Sequence, residues 1–288
     1  MRRRVQEEVV WLMVPKGSSG PVACFGSSQI RLAIALLLAL AIFNPVRSAD
    51  ISVREIAELL FKAPAKSQVN LAGRDLSFLD LSELDFKGAK LVGSNLHGSD
   101  LTGANLSHAN LSRAMLDRAT IVGADFSGAD LSEALIRLPH AVGSVAFDRA
   151  SSPIFFGADL SSARLVARLD GADFRNARLE RANLAPYGDT TQNTLTRRSV
   201  MIACDFSGAM LEGANLSEAI LRFANFQNAN LTRANLSGAD LTMANLSGAD
   251  LTDANIADAN FDGANLKATR GLGKAACIST ARNLNWSD

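Results

Sequence analysis

Residues 234–255 read ANLSGADLTMANLSGADLTDAN, and a leucine returns at every fifth position of this stretch. On an α-helix, positions five apart advance by about 500°, so the leucines would scatter around the helix instead of forming one apolar stripe. On a continuous strand, the odd spacing would send successive leucines to opposite faces. Neither regular element buries these leucines. The period therefore predicts a chain that turns a corner once in every five residues.

The same period covers most of the chain. A large apolar residue stands at every fifth position from Leu71 to Ile136 and again from Phe206 to Leu266. A small residue, usually alanine, lies two positions before each large one, and residues two apart on an extended chain point the same way. Both sets are therefore expected to face the inside of a coil. The predicted structural core includes Leu106, Leu111, Phe206, Phe226, Leu236 and Leu246.

The units ADLTM, ANLSG and ADLTD resemble the A-(D/N)-L-x-x unit of the pentapeptide-repeat proteins. This resemblance implies an all-β fold, a right-handed quadrilateral β-helix in which four units form one coil and the leucine and alanine face inward. A four-unit coil would repeat every 20 residues, so Phe206 and Phe226 are expected to stack along the axis. The same spacing predicts an amide ladder of Asn215, Asn235 and Asn255 along one face.

Residues 1–48 are predicted to be a signal peptide or leader. An apolar run at 32–43 is followed by a Pro and small residues, and it is too short for a membrane span of about 20 residues. We expect export to the periplasm or the extracellular space, and the alternative is an anchor formed by the apolar run. The chain is neutral overall, with 29 basic and 29 acidic side chains. The leader holds six of the basic groups and two of the acidic ones, so the remainder is mildly acidic.

Caps are predicted at both ends of a solenoid that spans residues 69–268. At residues 49–68, the capping box of Ser52 and Glu55 indicates a short helix. Residues 269–288 leave the five-residue period and are predicted to cover the last coil. In some members of the family such a segment forms a homodimer, which is the alternative that the resemblance implies.

Two stretches, 137–157 and 185–201, break the period and are predicted to be loops that leave the solenoid. Loops on a rigid scaffold often carry recognition, and the alternative is that both are tolerated insertions. The candidate recognition residues in these loops are His140, Phe155, Tyr187, Arg197 and Arg198.

Residue types that carry chemistry do not group together in this sequence. His97 and His108 are eleven positions apart, which would place them on different faces of a coil with a 20-residue period. There is no glycine-rich phosphate loop and no cysteine pair at metal-ligand spacing. We therefore predict no enzymatic activity, no metal and no cofactor.

The sequence favours a non-catalytic, exported scaffold or interaction protein. Its partner is expected to be a macromolecule of unknown identity, most simply a protein, and direct nucleic-acid binding is not expected. The alternative comes from the resemblance: some pentapeptide-repeat proteins resemble B-form DNA in size and charge and bind DNA gyrase, a type II topoisomerase. Weak net acidity argues against mimicry here, and export would separate the protein from such a target.

Overall fold

The computed structural model describes residues 49–64, 67–141, 151–187 and 198–285. The chain divides into two units, residues 1–47 and 48–288, and every described residue belongs to the second. The predicted leader and the candidate residue Arg197 lie outside the described residues. Among the residues that are described, no helix combines the length and the apolar character needed to cross a membrane.

Four ladders of parallel β-bridges run along the second unit. Asn70, Asp75, Asp80 and Asp85 each pair with the residue 20 positions later, and most later bridges keep this spacing. Between ladders the chain turns a corner. At one such corner, the carbonyl of Phe86 accepts a hydrogen bond of 2.8 Å from the N–H of the residue three positions later. The second residue after each large apolar residue takes a positive φ at nearly every corner. The five-residue period is therefore one face and one corner of a coil.

The predicted core residues are buried, as expected. Leu106, Leu111, Phe206, Phe226, Leu236 and Leu246 are at most 1% exposed. Five phenylalanines stack in one column, with neighbouring ring centroids 4.8–5.0 Å apart and ring planes within 6° of each other. The column consists of Phe126, Phe155, Phe174, Phe206 and Phe226. The expected stacking of Phe206 on Phe226 is confirmed.

The assignment of Phe155 to an exposed recognition loop is wrong. Its side chain is 0% exposed and lies between two rings of the phenylalanine column. Ile154, directly before it, pairs with Asp125, so the ladder continues across the interruption with a separation of 29 residues instead of 20. Pro153 takes the inward position that alanine holds in other units and is buried there. Because proline stands here in place of alanine, the sequence pattern does not show that the repeat resumes at this unit.

The edges of both interruptions belong to coils. The strands β1, Leu135–Arg137, and β2, Arg164–Val166, pair in parallel, with Leu135 opposite Arg164. His140 pairs with Thr120, so the chain is still part of a coil at this residue. The first interruption therefore begins after residue 141 and not at residue 137. At the second interruption, the ladder separation rises to 32 residues between Arg168 and Val200. Within the described residues β1 and β2 are the two extended strands, because the other ladder contacts are single bridges.

The N-terminal helix α1 spans Val53–Lys62. Its predicted capping box is confirmed: the N–H of Glu55 donates to Ser52 Oγ at 3.3 Å, and the N–H of Ser52 donates to Glu55 Oε2 at 2.8 Å. Ile56 is fully buried against the first coils, whereas Phe61 is 91% exposed. Val53 and Leu60, both partly buried, also pack against the core, so the helix attaches to the coils through one side of its surface.

At the C-terminal end, two short 3-10 helices, Leu272–Lys274 and Ile278–Thr280, follow the last regular unit. Three ladders nevertheless continue through this segment. Asp250 pairs with Arg270, Asn255 with Ala276 and Asn260 with Arg282. The segment thus adds part of a further coil. Its bridged residues are six positions apart instead of five.

The predicted amide ladder is confirmed. Asn235 Nδ2 donates to Asn215 Oδ1 at 3.2 Å, and Asn255 Nδ2 donates to Asn235 Oδ1 at 3.1 Å. Each of these oxygens also accepts a backbone N–H two residues later, as from Ser237 to Asn235 at 3.1 Å. The asparagines therefore tie each corner to the corner of the next coil.

Candidate functional site

One corner of the solenoid differs from the rest. It follows the face that carries β1 and β2, and on its later coils the first position after the core residue is small, as in Ser217 and Ser237. On the earlier coils most of the equivalent positions hold large side chains, with Ser77 and Gly98 as exceptions. We call this set the Tyr187 corner, and its members are Phe78, His97, Asp117, Arg118, Arg137, Leu138, Val166 and Tyr187.

A pocket of about 430 Å³ lies on the Tyr187 corner. At two places next to this pocket, the chain departs from the five-residue repeat. Leu165 and Leu169 are four residues apart instead of five, so the chain turns this corner with one residue fewer. After Leu184 the chain leaves the period, and Tyr187 is placed over the coils that precede it. The wall of the pocket therefore consists of side chains from five successive coils.

The ring of Tyr187 lies against two guanidinium groups. Its centroid is 5.3 Å from Arg137 Cζ and 5.8 Å from Arg164 Cζ. Arg164 Nη2 also donates a hydrogen bond of 3.1 Å to the carbonyl of Pro186, which fixes the backbone next to the tyrosine. Such cation–π contacts contribute roughly 0.5–2 kcal/mol each. The ring is thereby held in place although it remains 55% exposed.

Asp117 holds Arg137 from the opposite side. Arg137 Nε lies 3.0 Å from Oδ1 and 3.1 Å from Oδ2 of Asp117, and Arg137 Nη2 contacts Oδ2 as well. The backbone N–H of Arg137 donates to the same carboxylate at 3.0 Å. The hydrogen bond to Asp117 raises the pKa of Arg137. This carboxylate is therefore fully engaged by one arginine.

The Tyr187 corner carries excess positive charge. In the part of the chain that the structure describes, neither Arg118 nor Arg164 pairs with a carboxylate. Burial lowers the pKa of Arg164, and the neighbouring charge of Arg137 lowers it further. Two guanidinium groups, those of Arg118 and Arg137, and one carboxylate line the pocket beside Leu138 and Val166. Arg164 is not part of the lining, but its guanidinium group adds a third positive charge next to the ring of Tyr187.

Of the predicted recognition residues that the structure describes, only Tyr187 lines this pocket. Arg198 pairs with Glu218 at 3.2 Å, and His140 is exposed on the next face, where it pairs with Thr120. Neither residue lines the pocket. Phe155 is in the core, as described above.

Of the residues at the site, sequence reasoning selected only Tyr187 as a recognition residue. His97, Asp117 and Arg137 each stand directly after a core residue of the same face, a position where serine and threonine are the most frequent residues in this chain. That departure is the signal that could have identified them. His97 also packs edge-on against Phe78, with ring centroids 5.3 Å apart.

The described residues contain no group of three or more His, Cys, Asp or Glu side chains that could hold a metal ion. Cys204 is fully buried, and its Sγ donates to the carbonyl of Leu169 at 2.9 Å. Burial strongly raises the pKa of this thiol. Cys204 therefore stays protonated and takes the alanine position of its unit.

Several solved structures are similar to this chain. HetL, a pentapeptide repeat protein involved in heterocyst differentiation regulation from the cyanobacterium Nostoc sp. strain PCC 7120, is 28% identical over 80% of this chain and 98% of its own, with a TM-score of 0.36. Full-length QnrB1, a plasmid-mediated fluoroquinolone resistance protein, is 20% identical over 75% of this chain and 92% of its own, with a TM-score of 0.30. A pentapeptide repeat protein from the Arabidopsis thaliana thylakoid lumen is 26% identical over 44% of this chain and 73% of its own, with a TM-score of 0.23.

No curated protein matches the chain. The family model for pentapeptide repeats matches in eight copies, over residues 67–103, 94–133, 154–185, 199–238 and 229–267. These ranges cover more than half of the chain and coincide with the four ladders of bridges. The chain therefore belongs to the pentapeptide-repeat family, whose members form right-handed β-helices.

Proposed function

We propose that this protein is a non-catalytic scaffold that binds a partner protein at the Tyr187 corner. The observation that supports the proposal is an exposed tyrosine, backed by arginines, at a pocket in an otherwise regular wall. Tyrosine and arginine are enriched among the residues that contribute most to protein interfaces. The exposed side chain of Leu138 adds apolar surface beside them.

The scaffold presents this surface in an ordered form. Arg137 and Arg164 lie on paired strands, and both contact the ring of Tyr187. A side chain that is already held loses less conformational entropy when a partner binds. This preorganisation supports a binding role for the corner.

A second candidate, binding to a type II topoisomerase through mimicry of DNA, has weaker support. Mimicry would need rows of carboxylates without counter-charges, yet six of the described aspartates pair with arginines. Asp159 lies 3.1 Å from Arg178, Asp173 lies 2.7 Å from Arg175, and Asp250 lies 3.6 Å from Arg270. We expect the purified protein not to inhibit DNA supercoiling at micromolar concentration. Inhibition of supercoiling in that concentration range would favour a type II topoisomerase as the partner.

We also propose export, on the basis of the apolar run at 32–43 and the Pro and small residues that follow it. Cell fractionation and sequencing of the mature N-terminus test this part. A mature chain that begins at Ala49 or Asp50 is expected. A native protein that remains in the cytosol with residues 1–48 intact would refute it.

The binding role is tested by crosslinking in the native cell, followed by reconstitution with the purified partner. Tyr187→Ala should weaken the measured affinity by about tenfold or more, since an interface tyrosine often contributes about 2 kcal/mol. Phe223→Ala is the matched control, because Phe223 is similarly exposed, at 59%, but lies at a different corner. If both variants bind the partner as the wild type does, the Tyr187 corner is not the interface.

A further inference from the structure

We infer that the Tyr187 corner recognises an acidic peptide segment, in which carboxylates stand next to apolar side chains and the backbone is extended. This inference rests on the proposed function, since it specifies the chemistry of the partner at the same site. It follows from the charge, the apolar surface and the length of the corner.

The charge of the corner favours an anionic ligand. Asp117 is already hydrogen-bonded to Arg137. Among the described residues, Arg118 and Arg164 therefore have no carboxylate partner. Elsewhere on the wall, Arg175 and Arg222 bond to an aspartate of their own or the next coil, whereas Arg113 and Arg181 have no salt bridge to a described carboxylate. What distinguishes Arg118 is that it lines an apolar pocket. The planar guanidinium group matches the two oxygens of a carboxylate. A carboxylate at the corner would therefore supply the missing counter-charge.

The apolar part of the corner favours a ligand that carries an apolar group as well as an anionic one. Leu138 is 53% exposed and Tyr187 is 55% exposed, and the buried side chain of Val166 also lines the pocket. Burying apolar surface away from water favours binding. The pocket thus has space for an apolar side chain directly beside the arginines.

The length of the corner fits an extended segment. From His97 to Tyr187 it crosses five successive coils, and neighbouring coils are about 4.8 Å apart, as the stacked rings also show. The corner is therefore ~19 Å long, which an extended chain of about six residues covers at ~3.3 Å per residue. Phe78 extends the apolar surface beyond His97, because its ring packs edge-on against the imidazole.

The test uses the full chain and fluorescein-labelled octapeptides in an anisotropy titration. The acidic peptide contains two phenylalanines flanked by aspartates. In one matched peptide asparagine replaces each aspartate, and in another serine replaces each phenylalanine. We expect the acidic, apolar peptide to bind at least tenfold more tightly than either matched peptide. Its affinity should fall as the salt concentration rises from about 0.05 to about 0.5 M. Equal binding of the asparagine peptide, or no binding of the acidic one, would overturn the inference.

Two arginine variants locate the interaction on the corner. Arg118→Glu should weaken binding of the acidic peptide by about tenfold or more. Arg113→Glu is the control, because both arginines occupy the same turn position of neighbouring units, with φ values of 58° and 59°. Arg113 is outside the pocket, and its substitution makes the same change in net charge. An equal effect of the two substitutions would mean that only overall charge matters, and would overturn the inference.

The same variants separate the inference from the proposed function. If the native partner loses affinity with Tyr187→Ala but not with Arg118→Glu, the corner is the interface and its acidic specificity is wrong. If neither substitution changes binding of the partner, the interface itself is elsewhere and both proposals fail.

Discussion

The ring of Tyr187 lies 5.3 Å from the guanidinium carbon of Arg137, and Asp117 holds the same guanidinium group from the other side. These three residues are far apart in the chain, and the coils bring them together. Asp117 and Arg137 are 20 residues apart and therefore occupy the same position on neighbouring coils. The position of the tyrosine thus depends on an ion pair that the regular repeat creates.

Removing the carboxylate of Asp117 should destabilise the protein. Arg137 is only 33% exposed, so Asp117→Asn leaves a partly buried cation without its anionic partner. We expect a loss of about 1–2 kcal/mol in the free energy of unfolding, measured by urea denaturation. Asp262→Asn is the control, because Asp262 stands at the same position of its unit but is exposed. Equal stabilities of the two variants would show that the ion pair contributes nothing.

The phenylalanine column should tolerate leucine better than alanine. Phe174 stacks on Phe155 and Phe206, each at 4.8 Å. Phe174→Ala leaves a cavity in the column and should cost about 3–5 kcal/mol. Phe174→Leu should cost markedly less, since Leu106 and Leu246 occupy the same column in other coils. A cost below ~1 kcal/mol for Phe174→Ala, measured by chemical denaturation, would contradict this account of the core.

Much of the fold follows from the sequence because the repeat is strict wherever it is uninterrupted. The spacing of 20 residues predicts the contact between Phe206 and Phe226 and the ladder from Asn215 to Asn255, and the structure contains both. The interruptions limit the prediction. The sequence does not say how many inserted residues leave the coil, so it does not show that Phe155 rejoins the phenylalanine column.

The candidate site was predicted only in part, because it also depends on the interruptions of the repeat. Tyr187 stands out as the only tyrosine of the chain. Its contacts with Arg137 and Arg164 depend on the length of the inserted segments and on the shortened corner at 165–169. Neither quantity can be derived from a five-residue period. A partial signal is that His97, Asp117 and Arg137, one position after a core residue, occur 20 residues apart on one face in place of the more frequent serine or threonine.

The stability of the coils should fall in acid. Burial raises the pKa of Asp240, but hydrogen bonds from Thr242 Oγ1 and Arg222 Nε, each 2.5 Å long, and the Thr242 backbone N–H lower it by more, so the net shift is downward. In Asp250 the hydroxyl of Thr252, at 2.6 Å, is the main cause of a lowered pKa. A carboxyl with a lowered pKa stabilises the folded state above its unfolded pKa, and this contribution is lost as the pH falls through the folded pKa.

We therefore expect the free energy of unfolding to decline as the pH drops below about 4, the ordinary aspartate value. The double variant Thr242→Val, Thr252→Val should lose less stability on acidification than the wild type, because its two aspartates have more ordinary pKa values. Urea denaturation at several pH values between about 2 and about 6 measures both slopes. Identical slopes would show that these hydroxyls do not shift the carboxyl pKa values.

The amide ladder should contribute to stability through each of its members. Asn235 donates to Asn215, accepts from Asn255 and accepts the N–H of Ser237. Asn235→Ala removes all three hydrogen bonds and should cost about 1–3 kcal/mol, as measured by chemical denaturation. Asn235→Asp keeps both acceptor contacts but turns a carboxylate oxygen toward Asn215 Oδ1, so it should also destabilise the protein. A cost below ~0.5 kcal/mol for Asn235→Ala would show that these hydrogen bonds contribute little.

The central claim, that Tyr187 lies against Arg137 on a surface that binds an acidic, apolar peptide, can be tested at a single atom. Because Tyr187 is the only tyrosine, incorporation of 3-fluorotyrosine gives one ¹⁹F resonance from this site. We predict that Arg137→Gln shifts this resonance in the free protein and that the acidic octapeptide shifts it during titration, whereas the asparagine peptide does not. A resonance at the position of free 3-fluorotyrosine, unchanged by Arg137→Gln and by the acidic peptide, would contradict the account.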